Sequence, residues 1–175
     1  MASSLNGTGV TFSDGTILNT NSVNVQTFNS TGAWTKPTGG QTMARIQLWG
    51  GGGGAARSTN SAYPGGGGGG AYNEVTVPLS YINSQTVTVG GGGAGATGTG
   101  NGGQGGVSSV VLATAWNGQT TWAAYGGGGG YGPTTGDNAY VGGGGGGQLS
   151  AGTVGGPTVA YINNNGLPNI TGGGR

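Results

Sequence analysis

The 175-residue chain carries three carboxylates, Asp14, Glu74 and Asp137, and four cations, Lys36, Arg45, Arg57 and Arg175. It has no histidine and no cysteine. General acid–base catalysis usually draws on an imidazole or on a carboxylate with a tuned environment. Neither is visible here. Glu74 follows Tyr72 and Asn73 where a strand begins, which reads as a solvated strand end, so no catalytic residue is expected. Without cysteine there is no disulfide and no thiolate metal site. Runs of glycine superficially match phosphate-binding loops, but those need a following helix, and a P-loop also needs GK[ST]. The sole lysine, Lys36, sits in AWTKP instead. Nucleotide binding is therefore a poor reading, and no cofactor and no metal are expected.

The remaining composition narrows the class further. The net charge is +1 and charged residues make up 4% of the chain, against about 25% in ordinary domains. That leaves no electrostatic footprint for nucleic acid or an anionic membrane. The N-terminus lacks the basic and apolar regions of a secretory signal, and no apolar run reaches membrane-spanning length. Glycine supplies 49 residues without a strict three-residue period, which excludes collagen. Disorder is the bland reading of such richness. Against it stand the near-zero net charge, four tryptophans, seven tyrosines and clustered β-branched residues.

The elements that would position any site are strands. No window long enough for a helix is free of glycine, proline or clustered β-branched residues. Strand-like runs, several of them alternating, lie at residues 23–28 (VNVQTF), 43–49 (MARIQLW), 74–79 (EVTVPL), 85–89 (QTVTV), 107–114 (VSSVVLAT), 120–125 (TTWAAY) and 157–162 (PTVAYI). Seven short strands with turn signals between them predict an all-β sandwich. Asp14-Gly15 suits a type I′ hairpin.

Five of these runs or aromatic anchors lead straight into unbroken glycine, at 50–54, 65–70, 90–93, 126–130 and 142–147. Polyglycine can form a left-handed threefold helix rising about 3.1 Å per residue with no internal hydrogen bonds. Each N–H and C=O must then be paired by a neighbouring rod. Only glycine allows rods to approach closely enough. The expected architecture is a small sandwich whose inter-strand connections project as packed glycine rods. It divides as an N-terminal segment over 1–22 and a glycine-rich head over 23–175.

The stretch Gly9, Val10, Thr11, Phe12, Asp14, Gly15 and Thr16 resembles the G-(V/I)-T-F-x-D-G-T segment that precedes the terminal domains of bacteriophage tail-fibre and related virion proteins. Ile17-Leu18-Asn19 stands where that family usually has a glutamine-containing continuation. GAWTKP, RIQLWGGGGGA and TVTVGGGGAG then follow in the order of phage glycine-rich fibre domains. More loosely, the pattern is similar to the polyglycine-rich tip adhesins of T-even-type phages. It is also similar to the glycine-rich ectodomain of anaplastic lymphoma kinase-type receptors.

The resemblance implies a jelly-roll or TNF-like sandwich, a homotrimer, and a location on the virion surface. It places Val10, Phe12, Asp14 and Gly15 in attachment and trimerisation, with other virion proteins as partners through the N-terminal segment. The expected function is recognition of a host surface glycan or protein. The connections at 55–64 and 131–141 would form the rod tips, with Arg57, Asn60, Tyr63, Tyr131, Asp137, Asn138 and Tyr140 as contacts. Amide, hydroxyl and aromatic side chains suit neutral sugars. A capsid decoration or head fibre without a receptor role is the structural alternative, and a secreted non-viral filament a third.

Overall fold

A computed structural model describes residues 4–6, 9–11, 17–19, 23–58, 63–132 and 142–155; for the first three stretches it describes the backbone alone. Those stretches are β1 (Ser4–Asn6), β2 (Gly9–Thr11) and β3 (Ile17–Asn19), paired antiparallel in the order β1-β2-β3. Val10 lies in β2, opposite Leu5 and Leu18. Phe12, Asp14 and Gly15, and with them the expected turn, lie outside the described residues.

The head is all-β. Its strands are β4 (Gly32–Trp34), β5 (Met43–Trp49), β6 (Tyr72–Pro78), β7 (Gln85–Val87), β8 (Ser108–Trp116) and β9 (Gln119–Ala124). A single 3-10 turn, Leu79–Tyr81, follows β6. One layer runs β4-β7-β8-β9. Ladders join β4 to β7 and β8 to β9, and a reciprocal pair of 3.0 Å bonds between Thr88 and Ser109 links β7 to β8. The other layer is the antiparallel ribbon β5-β6.

Alternation decides which residues meet between the layers, because successive strand residues face opposite ways. Leu48 on β5, Val75 and Val77 on β6, and Val110 and Leu112 on β8 are buried, with Ile82 beyond the 3-10 turn. Trp34, Ile46, Trp116 and Trp122 pack against them. Asn73 is buried too, and its Nδ2 donates to the Ala123 carbonyl at 2.8 Å, fastening β6 to β9. The β8–β9 hairpin closes through Asn117-Gly118, with φ of 51° and 78°, left-handed values that suit an Asn-Gly type I′ turn.

Two expected strands differ. Residues 157–162 lie outside the described residues. Residues 23–28 are described outside any strand, with Val23 and Val25 86% and 79% exposed. The alternation is there, but a strand needs a ladder partner as well as a pattern. The anchor here is a side chain, Gln26 Nε2 donating to the Thr35 carbonyl at 2.9 Å. A cleft of about 1010 Å³ lies between this segment and the inner faces of β5 and β8, lined by Val25, Phe28, Trp34, Ile46, Leu48 and Val110 among others.

Among the described residues the glycine runs form a hydrogen-bonded lattice of seven rods. In chain order they cover residues 50–57, 65–71, 90–96, 100–107, 125–132, 142–147 and 150–155. The fourth and seventh, with their interrupted glycine, extend the five expected. Partners repeat every three residues, as a threefold helix requires. Along the first rod, Gly50, Gly53 and Ala56 donate to Ala71, Gly68 and Gly65 of the second. Gly51 and Gly54 donate to Gly106 and Gly103 of the fourth.

The fifth rod is the hub. Gly127 and Gly130 donate to Gly51 and Gly54 at 2.9 Å, while Tyr125 and Gly128 donate to Gly147 and Gly144 of the sixth rod. Its carbonyls accept from Gly65, Gly68 and Ala71 of the second rod, Gly102 and Gly105 of the fourth, and Gly152 and Gly155 of the seventh. One rod therefore bonds five others. Between the fourth and seventh rods the Gln104 side chain spans the gap, donating from Nε2 to the Gly152 carbonyl at 3.0 Å.

The requirement for glycine is steric and directional. A Cβ on Gly128 would lie 1.8 Å from the Thr153 carbonyl oxygen, and one on Gly53 1.9 Å from that of Gly128. A Cβ on Gly69 would meet nothing within 4 Å. Two alanine substitutions therefore separate the lattice from generic glycine effects. Gly128→Ala should destabilise by about 1–3 kcal/mol or more, since rods must move apart to admit the methyl. Gly69→Ala should be neutral or stabilising by up to about 1 kcal/mol, through the unfolded chain. Thermal or denaturant unfolding of the two variants checks the contrast; equal effects would contradict a packed lattice.

Candidate functional site

Rods without side chains can carry recognition only where side chains resume, at their ends and on the sandwich. The odd-numbered rods leave the sandwich and the even-numbered rods return, so one end of the lattice abuts strands and the other is a tip. At the tip, Gly65 N donates to the Tyr131 carbonyl at 2.9 Å. Arg57 and Gly100 exchange backbone bonds of 3.1 and 2.9 Å. The Arg57 guanidinium donates from Nη1 to the Thr97 carbonyl at 2.8 Å, and Gly132 N donates to Asn101 Oδ1 at 2.9 Å.

The segment 96–100 and the described ends of two further connections, residues 57–58 with 63–65 and 131–132 with 142, thus meet there. Of the expected contact residues, Arg57, Tyr63 and Tyr131 fall at this tip. Arg57 is exposed, Tyr63 is 77% exposed and Tyr131 is partly buried. Asn60, Asp137, Asn138 and Tyr140 lie outside the described residues.

Sequence reasoning missed a second polar and aromatic surface, the outer face of the β5-β6 ribbon. Strand alternation turns Met43, Arg45, Gln47 and Trp49 outward from β5, and Tyr72, Glu74 and Thr76 outward from β6. The register sets Trp49 opposite Tyr72 and Gln47 opposite Glu74. The two rings pair with centroids 5.2 Å apart and planes tilted by 47°. Arg45 holds Glu74 in a forked pair, Nε to Oε1 at 2.7 Å and Nη2 to Oε2 at 3.0 Å. Gln47 Nε2 donates to Glu74 Oε2 at 3.1 Å and to the Tyr72 hydroxyl at 2.9 Å, and that hydroxyl donates to Glu74.

Glu74 is therefore no idle strand end. Hydrogen bonds from Arg45, then from Tyr72 and Gln47, hold its carboxyl at about 2, against an ordinary 4.5. Donating to that carboxylate raises the Tyr72 hydroxyl above its ordinary value, and the same carboxylate raises Arg45. A carboxylate kept ionised by three donors is a poor proton donor near neutrality. It serves as a fixed acceptor that orients its neighbours. The signal for this face was the alternation itself, but the register between strands separated by two glycine rods was needed to read it.

The candidate surfaces thus belong to a small β-sandwich and to the glycine-rich rods that project from it. The chain belongs to the glycine-rich domain family, whose sequence profile matches residues 25–175. No curated protein and no solved structure matches it significantly.

The Glu74 cluster sets a pH dependence. Its folded value lies below its unfolded one, so the stabilisation is present above the ordinary carboxyl range and is lost as pH falls toward about 2. Carboxyl NMR titration should place the Glu74 midpoint near 2. Arg45→Ala should return it toward the ordinary value, and a midpoint unchanged by that substitution would contradict the assigned cause.

Proposed function

We propose that this chain is the head of a bacteriophage virion fibre that adheres to the host cell surface through loops held at the lattice tip. The meeting of one connection with the described ends of two more, at one end of a hydrogen-bonded rod bundle, carries this reading. Binding loops commonly ride on a rigid scaffold that fixes their geometry. Here the scaffold has almost no side chains with which to compete for a ligand. The order of the FxDGT, WTKP, LWGGGGG and TVTVGGGGAG segments supports the virion assignment. The role is adhesive rather than enzymatic, and it needs no cofactor.

In this reading the N-terminal segment, with Val10, Phe12, Asp14 and Gly15, attaches the head to other virion proteins, and three copies associate. Oligomerisation suits a thin apolar core. The ligand is a neutral glycan or a protein of the host surface. Arg57, Tyr63 and Tyr131 would contact it from the tip, together with Asn60, Asp137, Asn138 and Tyr140.

The test is adsorption of the purified full chain to host-range panels of bacterial cells. Replacing residues 58–63 and 133–141 by Gly/Ser should abolish adsorption while leaving the unfolding transition in place. Undiminished adsorption would overturn loop recognition. Sedimentation should give a trimer, and a monomer at all concentrations would remove the assembly from the reading.

A further inference from the structure

We infer that the outer face of the β5-β6 ribbon is a second binding site, a stacking platform for one neutral hexopyranose unit of a surface glycan. The inference rests on the adhesive reading above but uses a different surface from the loop tips.

The face has the components of sugar recognition in one plane. Trp49 is 61% exposed and Tyr72 45% exposed, so both rings of the pair are open to solvent. Their tilted pairing fixes both rings, so little side-chain freedom is left to lose when a ligand arrives. The C–H face of a pyranose packs on such rings through apolar and quadrupolar contact. Beside them stand polar groups with defined spare capacity. Gln47 spends its amide nitrogen on Tyr72 and Glu74 and keeps Oε1 as an acceptor. Arg45 spends Nε and Nη2 on Glu74 and keeps Nη1 as a donor. A sugar hydroxyl both donates and accepts, so adjacent hydroxyls can use both groups.

Spacing and charge fit the same ligand. Arg45, Gln47 and Trp49 follow one another at two-residue intervals on one strand, about 7 Å per step. A pyranose stacked at Trp49 therefore directs its rim toward Gln47. The forked ion pair cancels the two charges that the described residues place on the face. An acidic sugar, a phosphate or a cationic peptide would find no free counter-charge, whereas a neutral sugar needs none.

The probes are the methyl glycosides of glucose, galactose and mannose, titrated into isotope-labelled full-length chain and followed by NMR. At least one should shift the Trp49 indole N–H and the Gln47 side-chain amide saturably. Trp49→Ala should weaken that binding at least about tenfold. Gln47→Ala should weaken it about three- to tenfold while the Trp49 indole still responds.

No saturable shift with any of the three would overturn the site, as would shifts confined to the tip residues. If Trp49→Ala instead lowers the sedimenting mass, the face is covered by a second copy and the inference falls. Loss of cell adsorption on loop replacement, with glycoside shifts absent, would leave the adhesive reading standing without the platform. Glycoside shifts in a chain that adsorbs to no cell would leave the platform standing alone.

Discussion

A buried backbone amide in a glycine rod must find its partner outside that rod, and the absence of Cβ atoms lets a neighbouring rod supply it. A threefold helix bonds nothing within itself, so a lone rod in water keeps all its conformational freedom. Ordering one residue costs about 1–2 kcal/mol, and one hydrogen bond returns about 0.5–1.5 kcal/mol net. The lattice is thus near balance by itself and needs clamping at an end. The sandwich supplies the clamp. Trp49, Ala71, Tyr125 and their neighbours are the points where ladder bonds pass directly into lattice bonds: Gly50 donates to Ala71, and Ala71 to Tyr125. The hub rod issues from β9, whose last residues Ala123 and Ala124 are buried. The rod that must be placed most accurately starts from the most confined strand end.

The same constraint explains where alanine and larger residues enter the rods. Ala55 and Ala94 are exposed, and Gln104 lies where the fourth rod faces a gap that its own side chain spans. A Cβ is admitted where no rod lies in its direction and is excluded where a carbonyl oxygen would sit about 2 Å away, as at Gly54 and Gly127. Helical propensity is not involved, and among the described glycines positive φ occurs within a rod only at Gly100, the first residue of the fourth. Close approach is the reason for glycine in the lattice.

This also marks how far the sequence could be read. Periodicity two located β5 at its observed bounds and β6 to within two residues, because one face of each is buried by Ile46, Leu48, Val75 and Val77. Anchored glycine runs identified five rods. The rods at 100–107 and 150–155 were less visible, because Asn101, Gln104, Thr153 and Val154 interrupt the glycine while the backbone keeps the same threefold bonding. Residues 23–28 show the converse: VNVQTF alternates as a strand should, yet pairing is a tertiary property that no local pattern contains. The tip residues Arg57, Tyr63 and Tyr131 were legible because glycine runs bracket them. The Arg45, Gln47, Trp49, Tyr72 and Glu74 cluster was not, since it depends on a register across a 22-residue connection between Trp49 and Tyr72.

The two candidate surfaces sit at opposite ends of the first rod. Trp49 immediately precedes it, and Arg57 ends it at the tip. At about 3.1 Å per residue, that separation is roughly 25 Å along the rod. A single monosaccharide cannot bridge it, but an extended oligosaccharide or a dense glycan surface can occupy both ends together. Linked weak sites gain strength from effective concentration only when the spacing between them is held within the ligand's reach. A flexible loop of the same length would let that spacing wander. The hydrogen-bonded rod fixes it, so in the proposed reading the packing that makes the lattice possible would also let two modest sites act as one.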